Sequence, residues 1–189
     1  ETIAGSGDSL LTLINDILDI THANAGELTL AEAPCDLRSM VETVSAKAVR
    51  NSDVEIAAIE NRIAADMPPL HIDATRMGRA VEHLIANAVA ATQADGKVTV
   101  SADCEDRDWI CINIRDTGIG IPAERFAQLM QPFSTGDVNW QNHSEGAGLG
   151  LTYARVVALL HGGGFEMDSA PGAGTLISIR LPANRLRTD

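Results

Sequence analysis

The stretch "DTGIGIP", residues 116–122, is the part of the chain on which the fold assignment depends. It follows the alternating apolar segment "WICINIRD", which predicts a β-strand that ends at Asp116. A carboxylate at the end of a strand can accept a hydrogen bond from an exocyclic amine. Gly118 and Gly120 leave the adjoining backbone free of side chains. The stretch therefore indicates either a ligand pocket or an ordinary turn.

Upstream, "HLIAN" places His83 and Asn87 on one face of a helix predicted from the N-cap Asp73 to about Thr92. The carbonyl oxygen of an asparagine is a suitable ligand for Mg²⁺, and a neighbouring polar group can orient a water molecule or a phosphate. A polar stripe on a surface helix is the alternative interpretation.

Downstream, "GAGLGL" spaces Gly146, Gly148 and Gly150 at the start of a helix predicted from Leu149 to Leu160. The free amide groups at a helix N-terminus can bind phosphate oxygens. A glycine-rich loop by itself is not specific. The order and spacing of the three segments together indicate a nucleotide site.

The composition excludes several classes of protein. The chain has 189 residues with 45% hydrophobic residues, which suits one domain and a small additional element. Its net charge of −12 argues against binding to nucleic acid or to an anionic membrane surface. The three cysteines have no metal-ligand spacing, which indicates buried or free thiols in a reducing compartment. No apolar run approaches the roughly 18 residues of a membrane span, and the chain begins within a pattern, as a fragment of a longer protein would.

The remaining pattern predicts a layered α/β sandwich with a mixed sheet. Apolar residues from Ile3 to Thr21 recur at steps of three and four, which predicts a bundle helix that needs a partner or an amphipathic helix packed on its own domain. The other predicted elements are a helix stop at Asn24 and Gly26, a helix from Asp36 to about Asn51, a strand over 55–63, a turn at "DMPPL", a hairpin of "KVTVSADC" and "WICINIRD", a short helix over 124–131, and strands over 165–168 and 175–181.

These segments closely resemble the C-terminal part of a bacterial sensor histidine kinase, in the superfamily that also contains gyrase, Hsp90 and MutL. The helix with "HLIAN" resembles the N box, "DTGIGIP" the G1 box, "LMQPF" a weakened F box, and "GAGLGL" the G2 box. The resemblance implies a two-layer α/β sandwich of the Bergerat type with an N-terminal bundle helix. It divides the chain into part of a dimerisation bundle (1–25), a linker (26–35) and an ATP-binding catalytic domain (36–189).

The resemblance also implies roles for individual residues. Asn87 matches the asparagine that binds Mg²⁺, and Asp116 matches the carboxylate that binds the amino group of adenine. Residues 134–145 match the ATP lid. The phosphoacceptor histidine of the family lies on a preceding helix that this chain does not contain, so no catalytic residue is expected here. The full set of expected ATP-binding residues is His83, Asn87, Asp116, Gly118, Gly120, Gly146, Gly148, Leu149, Gly150 and Thr175.

The departures from the family pattern concern charge. His83 occupies a position where the kinases usually have Asn and the ATPases Glu, and Ala90 occupies a position where they usually have Lys or Arg. Met130 replaces the first aromatic residue of the F box, and no Lys or Arg occurs between Arg125 and Arg155. Loss of two charge-assisted hydrogen bonds to phosphate costs about 3 to 6 kcal/mol of binding free energy if the losses add.

Two functional hypotheses follow. The first is a working kinase core that binds Mg-ATP, transfers phosphate to a histidine, forms a homodimer through the bundle helix and signals to a response regulator. The second is a degenerate kinase that binds a response regulator or another kinase.

The fragment is expected in the cytoplasm without direct membrane contact, while a membrane anchor elsewhere in a longer protein is left open. The sequence resembles the alphaproteobacterial cell-cycle kinases of the DivL and PleC type. A gyrase-like ATPase or an anti-sigma-factor serine kinase is disfavoured by the bundle helix at residues 3–21.

Overall fold

A computed structural model describes residues 3–50, 59–105, 108–129 and 149–186. Five α-helices and seven β-strands lie in these ranges, with 3₁₀ turns at Ala123–Arg125 and Ala183–Arg185. The elements in chain order are α1 (Ile3–Asn24), β1 (Ala33–Cys35), α2 (Leu37–Arg50), β2 (Ile59–Asn61), β3 (Leu70–Ile72), α3 (Ala74–Ala91), β4 (Val98–Glu105), β5 (Trp109–Asp116), α4 (Phe126–Leu129), α5 (Gly150–Leu160), β6 (Gly164–Ser169) and β7 (Thr175–Pro182).

The centre of the fold is a mixed five-stranded sheet in the order β2-β4-β5-β7-β6. The pair β2–β4 is parallel, and the other neighbouring strands are antiparallel. Alternate residues of the central strands are buried, as period-2 apolar patterns require when one face of a sheet is covered. Helices α3 and α5 cover that face. The predicted two-layer α/β sandwich with a mixed sheet is therefore confirmed.

Local sequence explains the ends of the helices. Asp73 is the N-cap of α3, and its Oδ1 accepts a hydrogen bond from the Arg76 N–H at 3.0 Å. Asp36 caps α2 in the same way through the Ser39 N–H. At the C-terminal end of α1, Gly26 has a φ of +72°, and the Glu27 N–H donates to the His22 carbonyl oxygen. The predicted caps and the predicted helix stop are confirmed.

One part of the fold was not predicted from the sequence. Strands β1 and β3 form a separate antiparallel pair, in which residues 33–35 come from the expected linker and Leu70 is the last residue of the expected turn at "DMPPL". Three-residue strands are too short for an alternating pattern to be recognised. The other predicted elements are found where the structure describes them, whereas residues 55–58 of the expected strand and 130–131 of the expected short helix lie outside the described ranges. In the described part of the chain, no helix is both long enough and apolar enough to span a membrane.

Candidate nucleotide site

The first half of the candidate site is at the end of β5. Asp116 is 6% exposed and pairs with Thr175 of β7 in the sheet. Its Oδ1 accepts hydrogen bonds from the N–H groups of Gly118 at 2.8 Å and Thr175 at 3.2 Å. Burial raises the pKa of the Asp116 carboxyl above its usual value, and these hydrogen bonds oppose the rise. The fold therefore keeps the Asp116 carboxyl group buried, although burial removes part of its hydration.

The glycines around Asp116 have no room for a side chain. A Cβ at Gly118 would lie 2.3 Å from the carbonyl oxygen of Ala91, at the end of α3. A Cβ at Gly120, where φ is +67°, would lie 1.9 Å from the carbonyl oxygen of Ala170. Such close approach of main chain to main chain requires glycine at these two positions. We refer to Asp116, Gly118, Gly120, Gly174 and Thr175 as the carboxylate pocket.

The turn between β6 and β7 completes the carboxylate pocket. A Cβ at Gly174, where φ is +77°, would lie 2.1 Å from the Asp116 carbonyl oxygen. The Ser169 hydroxyl donates to the Gly174 carbonyl oxygen at 2.9 Å and accepts from the Ile121 N–H at 2.8 Å. Neither Ser169 nor Gly174 was predicted as a site residue, although the glycines of "SAPGAG", residues 169–174, predict a turn there.

The second half of the candidate site is on α3. The Asn87 side chain is exposed, and His83 lies one helical turn earlier. A Cβ at Gly150, the first residue of α5, would lie 3.1 Å from His83 Cβ and 3.5 Å from Asn87 Nδ2. The structure therefore brings these three predicted residues together. We refer to them as the α3 side of the site.

The two halves are adjacent because α3 ends between them. Ala91, which touches Gly118, is one helical turn beyond Asn87. The Ile119 N–H also donates to the Ala91 carbonyl oxygen at 3.2 Å. Leu149, another predicted residue, is buried, and its carbonyl oxygen accepts from the Tyr153 N–H at 2.8 Å. The predicted residues Gly146 and Gly148, the expected lid at 134–145 and Met130 lie outside the described residues.

His83 has a partner that was not predicted from the sequence. Its Nε2 lies 2.7 Å from Oδ2 of Asp16, a fully buried residue of α1. The two residues are 67 positions apart in the chain, so no local sequence pattern connects them. His161, in contrast, is buried at the end of α5 with both ring nitrogens in hydrogen bonds to the backbone, which agrees with a structural role.

A protein-family model, described as histidine kinase-, DNA gyrase B-, and HSP90-like ATPase, matches residues 72–185. Histidine protein kinase DivJ of Caulobacter vibrioides is 36% identical over 186 residues, which cover 96% of this chain and 30% of DivJ. Sensor protein GacS of Pseudomonas syringae is 33% identical over 194 residues, covering 97% of this chain and 21% of GacS. The chain thus spans less than a third of the length of these curated relatives.

Solved structures agree with this comparison. The crystal structure of full-length ShkA in complex with AMPPNP matches with a TM-score of 0.79 and 25% identity, covering 94% of this chain and 36% of ShkA. The Acinetobacter baumannii histidine kinase AdeS shares the fold, with a TM-score of 0.75 at 20% identity and coverage of 96% of this chain and 82% of that one. The chain therefore belongs to the histidine kinase-, DNA gyrase B- and HSP90-like ATPase family, within which it is homologous to the sensor histidine kinases.

Proposed function

We propose that this chain is the nucleotide-binding core of a sensor histidine kinase. It binds Mg-ATP and supports transfer of the γ-phosphoryl group to a histidine of a helical bundle, from which a response regulator receives the signal. The observation that carries this proposal is the buried Asp116 carboxylate beside main-chain positions that exclude side chains. The homology to sensor histidine kinases supports the same function.

The carboxylate pocket suits adenine. An ionised carboxylate only accepts hydrogen bonds and has about four lone-pair sites, of which the Gly118 and Thr175 N–H groups occupy a part. The exocyclic amine of adenine can donate to a remaining site. The carbonyl oxygen at the corresponding position of guanine would face an acceptor instead. We therefore expect the pocket to prefer ATP over GTP.

The α3 side suits a magnesium ion that arrives with the nucleotide. Mg²⁺ in nucleotide sites is usually held by one or two protein groups together with phosphate oxygens and water. Asn87 offers one exposed carboxamide oxygen, and no group of three or more His, Cys, Asp or Glu residues in the described ranges could hold a metal by itself. Bound Mg²⁺ would neutralise phosphate charge, which matters in a chain with a net charge of −12.

The division into a bundle segment (1–25), a linker (26–35) and a catalytic domain (36–189) is part of the proposal. The outward face of α1 supports it, because Leu10, Ile14 and Leu18 are 59%, 45% and 48% exposed. Such an apolar stripe is typical of a helix that packs in a four-helix bundle. We propose that it packs against the same helix of a second copy, in the cytoplasm. Relatives that are named as kinases support the working kinase, and none of the relatives described above favours the alternative of a degenerate kinase.

Titration with a fluorescent ATP analogue tests the nucleotide proposal. Asn87→Ala is expected to weaken binding about tenfold or more in Mg²⁺, because it removes the proposed ligand, and to leave binding in EDTA unchanged. The matched control is Gln93→Ala, which truncates another exposed polar side chain two residues after α3.

Equal affinities of wild type and Asn87→Ala in Mg²⁺ would contradict the assignment of Asn87. Failure of ATP to compete with the analogue would contradict the nucleotide proposal as a whole. Phosphoryl transfer is checked in a longer chain that carries a histidine-bearing bundle helix, by incorporation of acid-labile phosphate from γ-labelled ATP.

A further inference from the structure

The inner face of α1 carries two carboxylates that pair with basic side chains of α3. Asp16 is fully buried, with Oδ1 at 3.1 Å from Arg79 Nη1 and Oδ2 at 2.7 Å from His83 Nε2. A buried carboxylate is tolerated only when such partners compensate for its lost hydration. The contact between α1 and α3 is therefore specific and depends on charge.

One turn along α1, Asp19 extends the same contact. Its Oδ1 lies 3.0 Å from Arg76 Nη2, and its Oδ2 accepts a hydrogen bond from the Tyr153 hydroxyl at 3.2 Å. Arg76 in turn pairs with Asp73, the N-cap of α3. The Tyr153 ring on α5 lies edge-on to the His83 ring at 5.7 Å. We refer to Asp16, Asp19, Arg76, Arg79, His83 and Tyr153 as the α1 charge cluster.

The α1 charge cluster adjoins the candidate nucleotide site. Arg76, Arg79, His83 and Asn87 follow one another at steps of three and four residues, so they form one stripe along α3. Contacts to α1 occupy the first three, while Asn87 stays exposed. Gly150 packs against both His83 and Asn87. His83 is thus the point at which the docked α1 meets the nucleotide site.

Docking of α1 has an electrostatic consequence for a bound polyphosphate. It adds two carboxylates beside the site and pairs the basic side chains of the stripe with them. One helical turn is about 5.4 Å, which is shorter than the Debye length of about 8 Å at physiological ionic strength. Salt therefore does not fully screen the charges around His83 from a phosphate at Asn87. The effect opposes binding in a chain that is already strongly acidic.

We propose that the α1 charge cluster is an autoinhibitory contact, in which Asp16 holds His83 so that docking of α1 and binding of Mg-ATP disfavour each other. The proposal rests on the nucleotide-binding function proposed above. Such coupling is reciprocal for binding free energies, so the nucleotide must also release α1. Asp16 is then a positioning residue, which acts on the site through His83.

The test compares wild type with Asp16→Asn, which removes the charge and keeps the size of the side chain. Affinity for the ATP analogue in Mg²⁺ is expected to rise about fivefold or more, the lower end of usual coupling factors. Hydrogen exchange of the α1 amides is expected to accelerate in the variant without nucleotide, and in wild type on addition of AMPPNP. Arg79→Gln breaks the contact from the α3 side and is expected to change both measurements in the same direction.

The matched control is Glu27→Gln, which removes one negative charge at an exposed position outside the cluster and is expected to leave affinity and exchange unchanged. Unchanged exchange of α1 in Asp16→Asn, or equal or weaker nucleotide binding by it, would overturn the autoinhibitory contact. Absence of nucleotide binding in wild type and every variant would instead contradict the proposed function. The exchange of α1 without nucleotide separates these two failures, because it reports docking alone.

Discussion

The two halves of the candidate site are built in different ways. In the carboxylate pocket, main-chain atoms approach so closely that Cβ atoms at Gly118 and Gly120 would lie 2.3 and 1.9 Å from carbonyl oxygens. On the α3 side, the chemistry depends on side chains, with Asn87 exposed and His83 committed to Asp16. The carboxylate pocket is therefore fixed by the fold itself. The chemistry of the α3 side depends instead on the contacts that its side chains make.

The largest expected effect is on stability, in the carboxylate pocket. Gly120 and Gly172 both have positive φ, +67° and +75°, which costs a non-glycine residue about 1 to 2 kcal/mol. A Cβ at Gly120 would also collide with Ala170, whereas a Cβ at Gly172 would meet nothing within 4 Å. We expect Gly172→Ala to lower the free energy of unfolding by about 1 kcal/mol and Gly120→Ala by about 3 kcal/mol or more. Urea denaturation measures both, and equal losses would show that close approach is unimportant.

The second prediction concerns the carboxylate itself. Asp116→Asn is expected to weaken binding of the ATP analogue by about 10- to 100-fold, because a charge-assisted hydrogen bond to the base is lost. Without nucleotide, the same variant is expected to be more stable than wild type at pH 7. The reason is that the pKa of Asp116 is raised by burial, so the folded state is penalised when the group ionises.

The pH dependence provides the check on this second prediction. An elevated folded-state pKa means that the contribution of Asp116 to stability decreases as pH rises above the usual carboxyl pKa of 3.8. Urea denaturation between pH 3.5 and pH 7 is therefore expected to show a gap between variant and wild type that widens with pH. A gap that narrows with pH would contradict the burial of an ionised Asp116.

The third prediction adds charge to the α3 side. Ala90 is half-buried three residues after Asn87, so the two lie on one face of α3. Ala90→Lys is expected to tighten ATP binding about tenfold through a charge-assisted contact to phosphate, with no gain for adenosine. Ala94→Lys adds the same charge at an exposed position beyond α3 and is the control. A gain by both variants would indicate a general charge effect instead.

The contrast between the halves also explains what the sequence could predict. Asp116, Gly118 and Gly120 lie within one stretch of seven residues, so this part of the carboxylate pocket was predicted from a local pattern. The main chain that excludes their side chains comes from Ala91 and Ala170, and that contact was not predicted. The caps Asp36 and Asp73 act within three residues and were also predicted. The short strands β1 and β3 were missed because a three-residue strand depends on its partner and has no period of its own.

The partner of His83 could not be predicted for a different reason. Asp16 lies within an apolar helix, and its acidic side chain is compatible with exposure to solvent or with burial against cations. Only the packing of α1 on α3 decides between these environments. Contacts between side chains distant in sequence therefore remain outside the reach of pattern and propensity, whereas contacts within a turn do not.

The smallest expected effect concerns the contact between the C-terminal end of α5 and the N-cap of α3. His161 accepts a hydrogen bond at Nε2 from the Asp73 N–H at 3.0 Å, so its Nδ1–H donates to the Val157 carbonyl oxygen at 2.7 Å. Burial, aided by the charge of Arg185, lowers the pKa of His161 below its usual 6.5, against the opposing carboxylates of Glu32 and Asp73. The imidazole is therefore neutral in the folded state.

A lowered histidine pKa destabilises the fold in acid, because the unfolded chain binds a proton below pH 6.5 that the folded chain resists. Wild type is expected to lose stability from this source as pH falls from 7.5 to 5.5, by at most about 1.4 kcal/mol per pH unit. His161→Gln is expected to be less stable by about 1 kcal/mol at pH 7.5, through a lost hydrogen bond, and the deficit is expected to shrink at pH 5.5. Other titrating groups are common to both proteins and cancel in the difference. If urea denaturation shows a difference in the free energy of unfolding between His161→Gln and wild type that is independent of pH, His161 is not held neutral. The contact between α5 and α3 then does not depend on an unprotonated Nε2 of His161.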